Sequence, residues 1–482
     1  MLSILDILLA LLFLGGVAVA GNLFWRSTKP DDYFLGGRAL PWIAVLASIV
    51  ATETSTLTFI GAPAISYAGD VSFIQLAAGY IIGRVLIAYL ILPGYFKGKY
   101  HTAYELLSIS FGDTTRRLAS AVFIITRTLA DGVRLYASAL VVSVVLGIEI
   151  LPAIAAISAL TLLYTLRGGL VAVVWTDFMQ LFVYLGGAIF SVFLLFEMIP
   201  GGVDGIFQTA VAFDKLNLFD LSIISSNPYT LPAGIAGGAF LSMASHGTDH
   251  LMVQRLMASK DLGSARRALI GSGIFVFIQF ALFLLIGLAL FAFYLGHPRE
   301  SFSGKPDEVF PFFIVREIPS GARGLIVAAI MASAVSTLSS SLNSLASSTY
   351  GDFLKPVLSR LRGGSWLLMW LKRGESAVGR TLTLAWCIVL LLVSVLAQNW
   401  GGVLETGLAI ASFTYGSLLG AFLLSILGLS GGERAVPVGM LTGIASMAAV
   451  FFLTDLPWTW YVVVGTVITV TSGSLVSKFL GS

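Results

Sequence analysis

The chain has 482 residues, of which 57% are hydrophobic and only 11% charged, with a net charge of +3 and a mean hydropathy of +0.93. A soluble domain carries about 25% charged residues, so the composition excludes an ordinary water-soluble protein and predicts an all-α integral membrane protein. The single cysteine, Cys387, excludes internal disulfides and cysteine-rich metal sites. The sequence has no phosphate-binding loop and no HExxH pair, and its small net charge gives nucleic acid no footing.

About 13 spans of membrane-crossing length succeed one another. They are predicted near Leu2–Trp25, Leu40–Ile65, Val71–Pro93, Leu118–Gly147, Leu151–Leu166, Val171–Ile199 and Leu231–Met257. The rest lie near Ala268–Leu295, Ala322–Tyr350, Arg380–Gln398, Leu404–Leu427, Val436–Leu453 and Pro457–Leu480. The first span carries Ala18-Val19-Ala20, which resembles a cleavage site, but no Lys or Arg precedes its apolar run and Asp6 sits there instead, so it reads as a retained helix. Placing the N-terminus outside and the C-terminus in the cytoplasm puts most of the 28 Lys and Arg residues on cytoplasmic loops. The expectation is a multi-pass protein of the plasma or inner membrane.

Two polar clusters interrupt the spans. One is Ala51-Thr52-Glu53-Thr54-Ser55-Thr56-Leu57-Thr58; the other is the ladder Ser333, Ser336, Thr337, Ser339, Ser340 and Ser344. Each lies roughly 15–27 Å up its own span, so the two can meet at one depth. Hydroxyls, freed carbonyls and a carboxylate are the hard oxygen ligands that sodium takes. The competing reading is small polar residues that glue helices together. Asp177 is a lone intramembrane carboxylate, which marks a functional site unless Arg167 pairs with it at the membrane edge. Arg127, Asp131 and Arg134 share one helix face and read as a self-neutralising ladder or as an arginine clamp for a carboxylate. Arg84 stands in the preceding span, and Phe59, Tyr136 and Tyr415 can line a cavity. His246 and His250 read as helix-end polar groups.

The run Gly168-Gly169-Leu170-Val171-Ala172-Val173-Val174-Trp175-Thr176-Asp177-Phe178-Met179-Gln180 resembles the GGLxAVxWTDxxQ hallmark of the sodium:solute symporter family. Asp32 to Arg38 (DYFLGGR), Gly247-Thr248-Asp249-His250 through Gln254-Arg255, and Ser336-Thr337-Leu338 with Asn343-Ser344 resemble further family segments in the expected order. His250 replaces the usual Gln.

The resemblance implies a leucine-transporter-type five-plus-five inverted repeat. Residues 1–39 would form an extra N-terminal helix and loop, 40–199 the first repeat, 200–428 the second, and 429–482 two C-terminal helices. It also implies a first sodium ion held by Ala51, Thr54, Ser333, Ser336 and Thr337. A second sodium would sit near Asp177, Ser339 and Ser340 with Ser336, and Glu53 stands where proline carriers have an acidic residue important for sodium. The substrate positions are Ser55 and Thr58, with Arg84, Arg134 and Tyr415 as further candidates. Thr58 replaces the Gln of sugar carriers, which favours a carboxylate-bearing solute or amino acid over a hexose. The expected protein is therefore not an enzyme but a sodium-coupled symporter. Its partners would be sodium ions, a small solute and membrane lipid, and it would act as a monomer. The alternatives are a proton-coupled carrier using Glu53 or Asp177, or a transporter-like solute receptor, which the absence of sequence beyond the last span disfavours.

Overall fold

The structure, a computed structural model, describes residues 2–24, 38–98, 103–165, 170–223, 225, 227–297, 302–354, 375–426, 428 and 432–480. Asp32 to Gly37, Arg167, Gly168 and Gly169 lie outside the described residues, as do the side chains of Leu170 to Val173 and the basic loop residues Arg26, Lys29, Lys99, Arg299 and those between Lys355 and Arg373.

Among the described residues the chain is helical and forms no strand. Helix α1 (Ile4–Phe24) is followed by α2 (Trp42–Glu53), α3 (Thr56–Ala68), α4 (Ile74–Lys97, with a π-helical turn at Ile87–Ile91) and α5 (Ala103–Leu146). Next come α6 (Ile150–Thr165), α7 (Leu170–Met198), the short α8 (Gly202–Ala212), α9 (Leu231–Gly247), α10 (His250–Met257) and α11 (Leu262–Gly296). The last are α12 (Val309–Arg316), α13 (Ala322–Ser348), α14 (Glu375–Ala397), α15 (Val403–Ile426), α16 (Gly432–Leu453) and α17 (Tyr461–Leu480). By length and composition, 9 of the described helices can cross a membrane, or 10 when the bent pair α2–α3 counts as one span.

Two predicted spans are broken. The first bends by 60° between α2 and α3, because Thr54 (φ −83°, ψ 66°) and Ser55 (φ −79°, ψ 176°) leave the helical region. Short hydroxyl side chains compete with the helix for backbone partners, so a Thr/Ser run is a natural place for this break. The second, expected as one span from Leu231 to Met257, divides into α9 and α10 at Thr248 and Asp249. There the Asp249 carboxylate accepts the Leu251 N–H at 2.9 Å and starts the new helix. The sequence signals of the division are the capping residue Asp249 and the more polar run that follows it, His250 to Met257 with Gln254 and Arg255.

Helix α7 packs between α2 and α13, α11 packs against α2 and α3, and α1 lies on α7 and α13. The break, Asp177 and the serine ladder are thereby brought into one packed group.

Candidate functional site

Asp177 links two of these helices. Ser48 on α2 donates to its Oδ2 at 3.2 Å, and Ser336 on α13 donates to its Oδ1 at 3.1 Å. The ion-pair partner is Arg255 of α10, whose Nη2 lies 3.5 Å from Oδ2. Arg255 also donates through Nε to Ser48 at 3.0 Å and through Nη1 to the Leu251 carbonyl at 2.9 Å. By sequence Arg255 lies at the end of the predicted span Leu231–Met257 and counts with the charges at the cytoplasmic face. The structure places it 2% exposed inside the bundle. Its signal is its position eight residues after Gly247, one turn into a helix that the unbroken-span reading conceals.

At the break, Ala51, Thr54, Ser55 and Thr58 are all buried. The end of α2 leaves its last carbonyls, Ala51's among them, without partners in that helix. Thr54 donates to Gln279 Oε1 on α11 at 2.7 Å, and Thr58 donates to the Glu53 carbonyl at 3.0 Å. Ser333, Ser336, Thr337 and Ser339 are buried on α13, Ser340 is half-buried, and Thr337 donates to the Ser333 carbonyl at 2.9 Å. Helix α13 touches both α2 and α3, and Asp177 joins Ser48 of α2 to Ser336 of α13.

Beside the break is a cavity of about 130 Å³. Glu53, Ser55, Thr58, Arg134, His246 and Tyr415 are among its walls. Arg84 is not: it is completely buried behind Glu53, donating to that carboxylate and, at 2.6 Å, to Ser272. His246 Nε2 lies 3.5 Å from Glu53 Oε2, so this histidine belongs to the cavity wall, whereas His250 opens α10 as a helix-end group. Arg134 donates to Asp131 at 2.7 Å, and Arg127 Nε lies 3.7 Å from the same carboxylate. Asp249 extends this ladder, accepting from Arg127 at 3.3 Å and from Tyr415 at 2.7 Å. Arg127 Nε, Arg134 Nε and His246 Nε2 have no hydrogen-bond partner among the described residues.

A wider vestibule of about 810 Å³ lies next to the cavity, and Leu404 lines both. Leu404 packs so closely on α3 that a β-carbon at Gly61 would sit 2.5 Å from its Cβ, so only glycine fits there. Two polar contacts hold this end of α15. Asp307 accepts the Val403 N–H at 3.1 Å, and Tyr229 donates to Glu405. Burial between Glu308 and Glu405 pushes the Asp307 carboxyl up to about 6, against the Val403 N–H and Lys305.

A family model described as the sodium:solute symporter family matches residues 33–443. The chain is 30% identical over 419 residues to sodium-coupled monocarboxylate transporter 1 of Xenopus laevis, covering 86% of this chain and 66% of that one. It is 29% identical to the sodium/sialic acid symporter SiaT of Proteus mirabilis, covering 96% of this chain and 92% of that one. It thus spans about two thirds of the animal monocarboxylate transporters it matches and nearly all of the bacterial symporter. Among solved structures, the outward-open, substrate-bound state of a Na+-coupled sialic acid symporter matches with a TM-score of 0.86 at 28% identity, over 99% of this chain and 98% of that one. A nucleobase-cation-symport-1 family transporter, Mhp1, shares the fold at a TM-score of 0.58 and 14% identity, over 94% of this chain and 96% of that one.

Proposed function

The chain belongs to the sodium:solute symporter family, and from that premise we propose that it couples sodium entry to uptake of a small carboxylate-bearing solute. The observation that carries the solute class is a charge count. Glu53, Asp131, Asp177 and Asp249 are matched by Arg84, Arg127, Arg134 and Arg255, each in an ion pair. A sodium ion entering this buried, balanced group adds a positive charge that nothing in the protein offsets, and an unpaired charge inside a bilayer is expensive. A carboxylate offsets the charge of one sodium ion, so a second ion leaves one net positive charge moved per cycle; a neutral hexose offsets neither.

Arg127 and Arg134 both line the cavity beside the break, and Arg134 Nε, which has no hydrogen-bond partner among the described residues, gives the carboxylate a donor. Ser55, Thr58 and Tyr415 border the same cavity. At about 130 Å³ the cavity is well below the ~300 Å³ of drug-sized sites, which suits a short organic acid or amino acid better than a sugar acid. Arg84 then serves to hold Glu53 rather than to touch the solute.

Sodium is assigned to the oxygen-rich interface of α2, α3, α7 and α13. The first ion takes Ala51, Thr54, Ser333, Ser336 and Thr337, with Glu53 beside them. The second takes Asp177 with Ser336, Ser339 and Ser340. Hydroxyls, carbonyls and a carboxylate are the donor types a hard monovalent cation accepts. The break in the first span and the break between α9 and α10 open residues 40–199 and 200–428 respectively, which supports a five-plus-five inverted repeat. Around it stand an extra helix before (1–39) and two after (429–482), about 13 spans in all. The protein is placed as a monomer in the plasma or inner membrane with its N-terminus outside and its C-terminus in the cytoplasm.

The test is sodium-driven uptake of radiolabelled short monocarboxylates into proteoliposomes, with competitors. Inhibition by other short monocarboxylates, but not by glucose, is expected. Uptake of neutral sugars that carboxylates fail to inhibit would overturn the proposal.

A further inference from the structure

Helix α8 is too short to span a bilayer, and its residues divide into three edges. Ile206 and Ala210, at 1% and 2% exposure, face the protein, packed toward α7 and α11. Val203, Phe207 and Val211, spaced i, i+4 and i+8, form an apolar stripe exposed by 43%, 44% and 67%. Asp204 and Gln208, both exposed, form the polar edge. This division, with an apolar edge between protein and polar faces, is that of a helix lying in a lipid–water boundary.

Its position agrees. Helix α7 is long and apolar enough to cross the membrane and ends at Met198. Gly201 and Gly202, with φ of 79° and 57°, turn the chain directly into α8. The start of α8 is four residues beyond the span and so within about 14 Å of its end. The two helices it packs on also expose apolar side chains near the ends of their spans, Phe193 on α7 and Leu295 on α11, and the stripe carries no charge that would favour a polar partner.

The turn after α8 ties it to the broken helix. Lys215 is 5% exposed. Its ammonium donates to the carbonyls of Ser66 at 3.2 Å, Tyr67 at 2.8 Å and Gly69 at 2.7 Å, at the end of α3, and lies 4.1 Å from the centre of the Phe291 ring on α11. An ammonium has three protons, and each has a carbonyl at the terminus where the helix dipole favours a cation. The opposite end of α3 is the Ser55–Thr58 wall of the cavity.

We propose that α8 is an interfacial helix whose Val203–Phe207–Val211 stripe is seated in membrane lipid, and that Lys215 is a positioning residue fastening this seat to α3 and thus to the broken-helix site. Sodium affinity then responds to how α8 sits in the bilayer.

Two measurements on the full chain in liposomes test it. Nitroxide labels are placed at Phe207→Cys or Gln208→Cys in a Cys387→Ser background. The Phe207→Cys label should be relaxed more by oxygen than by a water-soluble nickel chelate, and the Gln208→Cys label the reverse. Greater nickel access at Phe207→Cys, or shielding from both reagents as a covering protein or second copy would give, overturns the lipid seat. In the second, sodium-22 binding is titrated for Phe207→Ser/Val211→Ser with Lys215 intact and with Lys215→Met. About a threefold loss of sodium affinity is expected with Lys215 present and no further loss once it is gone. Equal losses in both backgrounds overturn the fastening, whatever the destabilisation by Lys215→Met alone.

Discussion

Two of the buried ionic groups among the described residues, one around Asp177 and one around the cavity, are built differently. Around Asp177 there is one carboxylate, one guanidinium and a set of hydroxyls from α2 and α13. Around the cavity, Glu53, Asp131 and Asp249 are interleaved with Arg84, Arg127 and Arg134, and a histidine and a tyrosine complete the wall. Hydroxyls can turn their oxygens toward an arriving cation at little cost, whereas guanidiniums offer only donors. The first group is suited to admit a sodium ion and the second to admit an anion. On the proposed function, both groups are balanced when empty, so each guest would make the other less costly to bind, the reciprocal effect a symporter requires.

The sharpest way to break this contrast is to unbalance one pair. Glu53→Gln leaves Arg84 a buried, uncompensated cation and should cost about 3–5 kcal/mol. The further change Arg84→Met should recover most of the loss. Thermal unfolding in detergent reads both, and a Glu53→Gln protein as stable as the wild type would mean that the pair carries no structural charge balance. A smaller effect is expected at the cavity. Arg134→Lys removes the planar fork and should weaken a carboxylate solute about thirtyfold, roughly 2 kcal/mol, while leaving sodium-22 binding in the absence of solute close to normal. Equal losses of both guests would erase the distinction between the two groups.

On the hydroxyl side, Ser336→Ala/Thr337→Ala should raise the sodium concentration for half-saturation about tenfold, or 1.4 kcal/mol. An unchanged sodium titration removes these two residues from the ion site.

The smallest effect concerns pH and lies in neither group. The Asp307 carboxyl titrates in the folded protein at about 6, raised from 3.8 by burial. The folded state therefore holds a proton that the unfolded state releases, so stability rises as pH falls from 7 to 5 and is lost as pH climbs through 6. The change over that window is about 1 kcal/mol. Asp307→Asn should flatten that part of the stability profile, and a slope identical to the wild type's would place the titration elsewhere.

The family-level fold and the polar clusters are legible in the sequence because a bilayer makes polar residues conspicuous: Asp177, the Thr52–Thr58 run and the serine ladder stand out from apolar surroundings. The partners are not. Arg255 sits near a helix end and looks like one more interfacial charge until the break at Asp249 folds α10 back into the bundle. Gln279 is a polar residue in the apolar middle of a long helix, and the 2.7 Å bond from Thr54 gives it a role there. His246 resembles a terminal polar group, yet α9 packs closely on α4 and carries it to Glu53. Glu53, 31 residues earlier, is one of several carboxylates the sequence offers Arg84, and the structure selects it. Pairings across helices depend on rotation and depth together, and hydropathy reports only depth.

The most direct test of the balance between these two groups is the sodium-22 binding isotherm of the purified protein, measured with and without a short monocarboxylate and with and without glucose at matched concentrations. A carboxylate should lower the sodium concentration for half-saturation severalfold while glucose leaves it unchanged. If glucose tightens sodium binding and the carboxylate does not, the charge-balance account of coupling is contradicted.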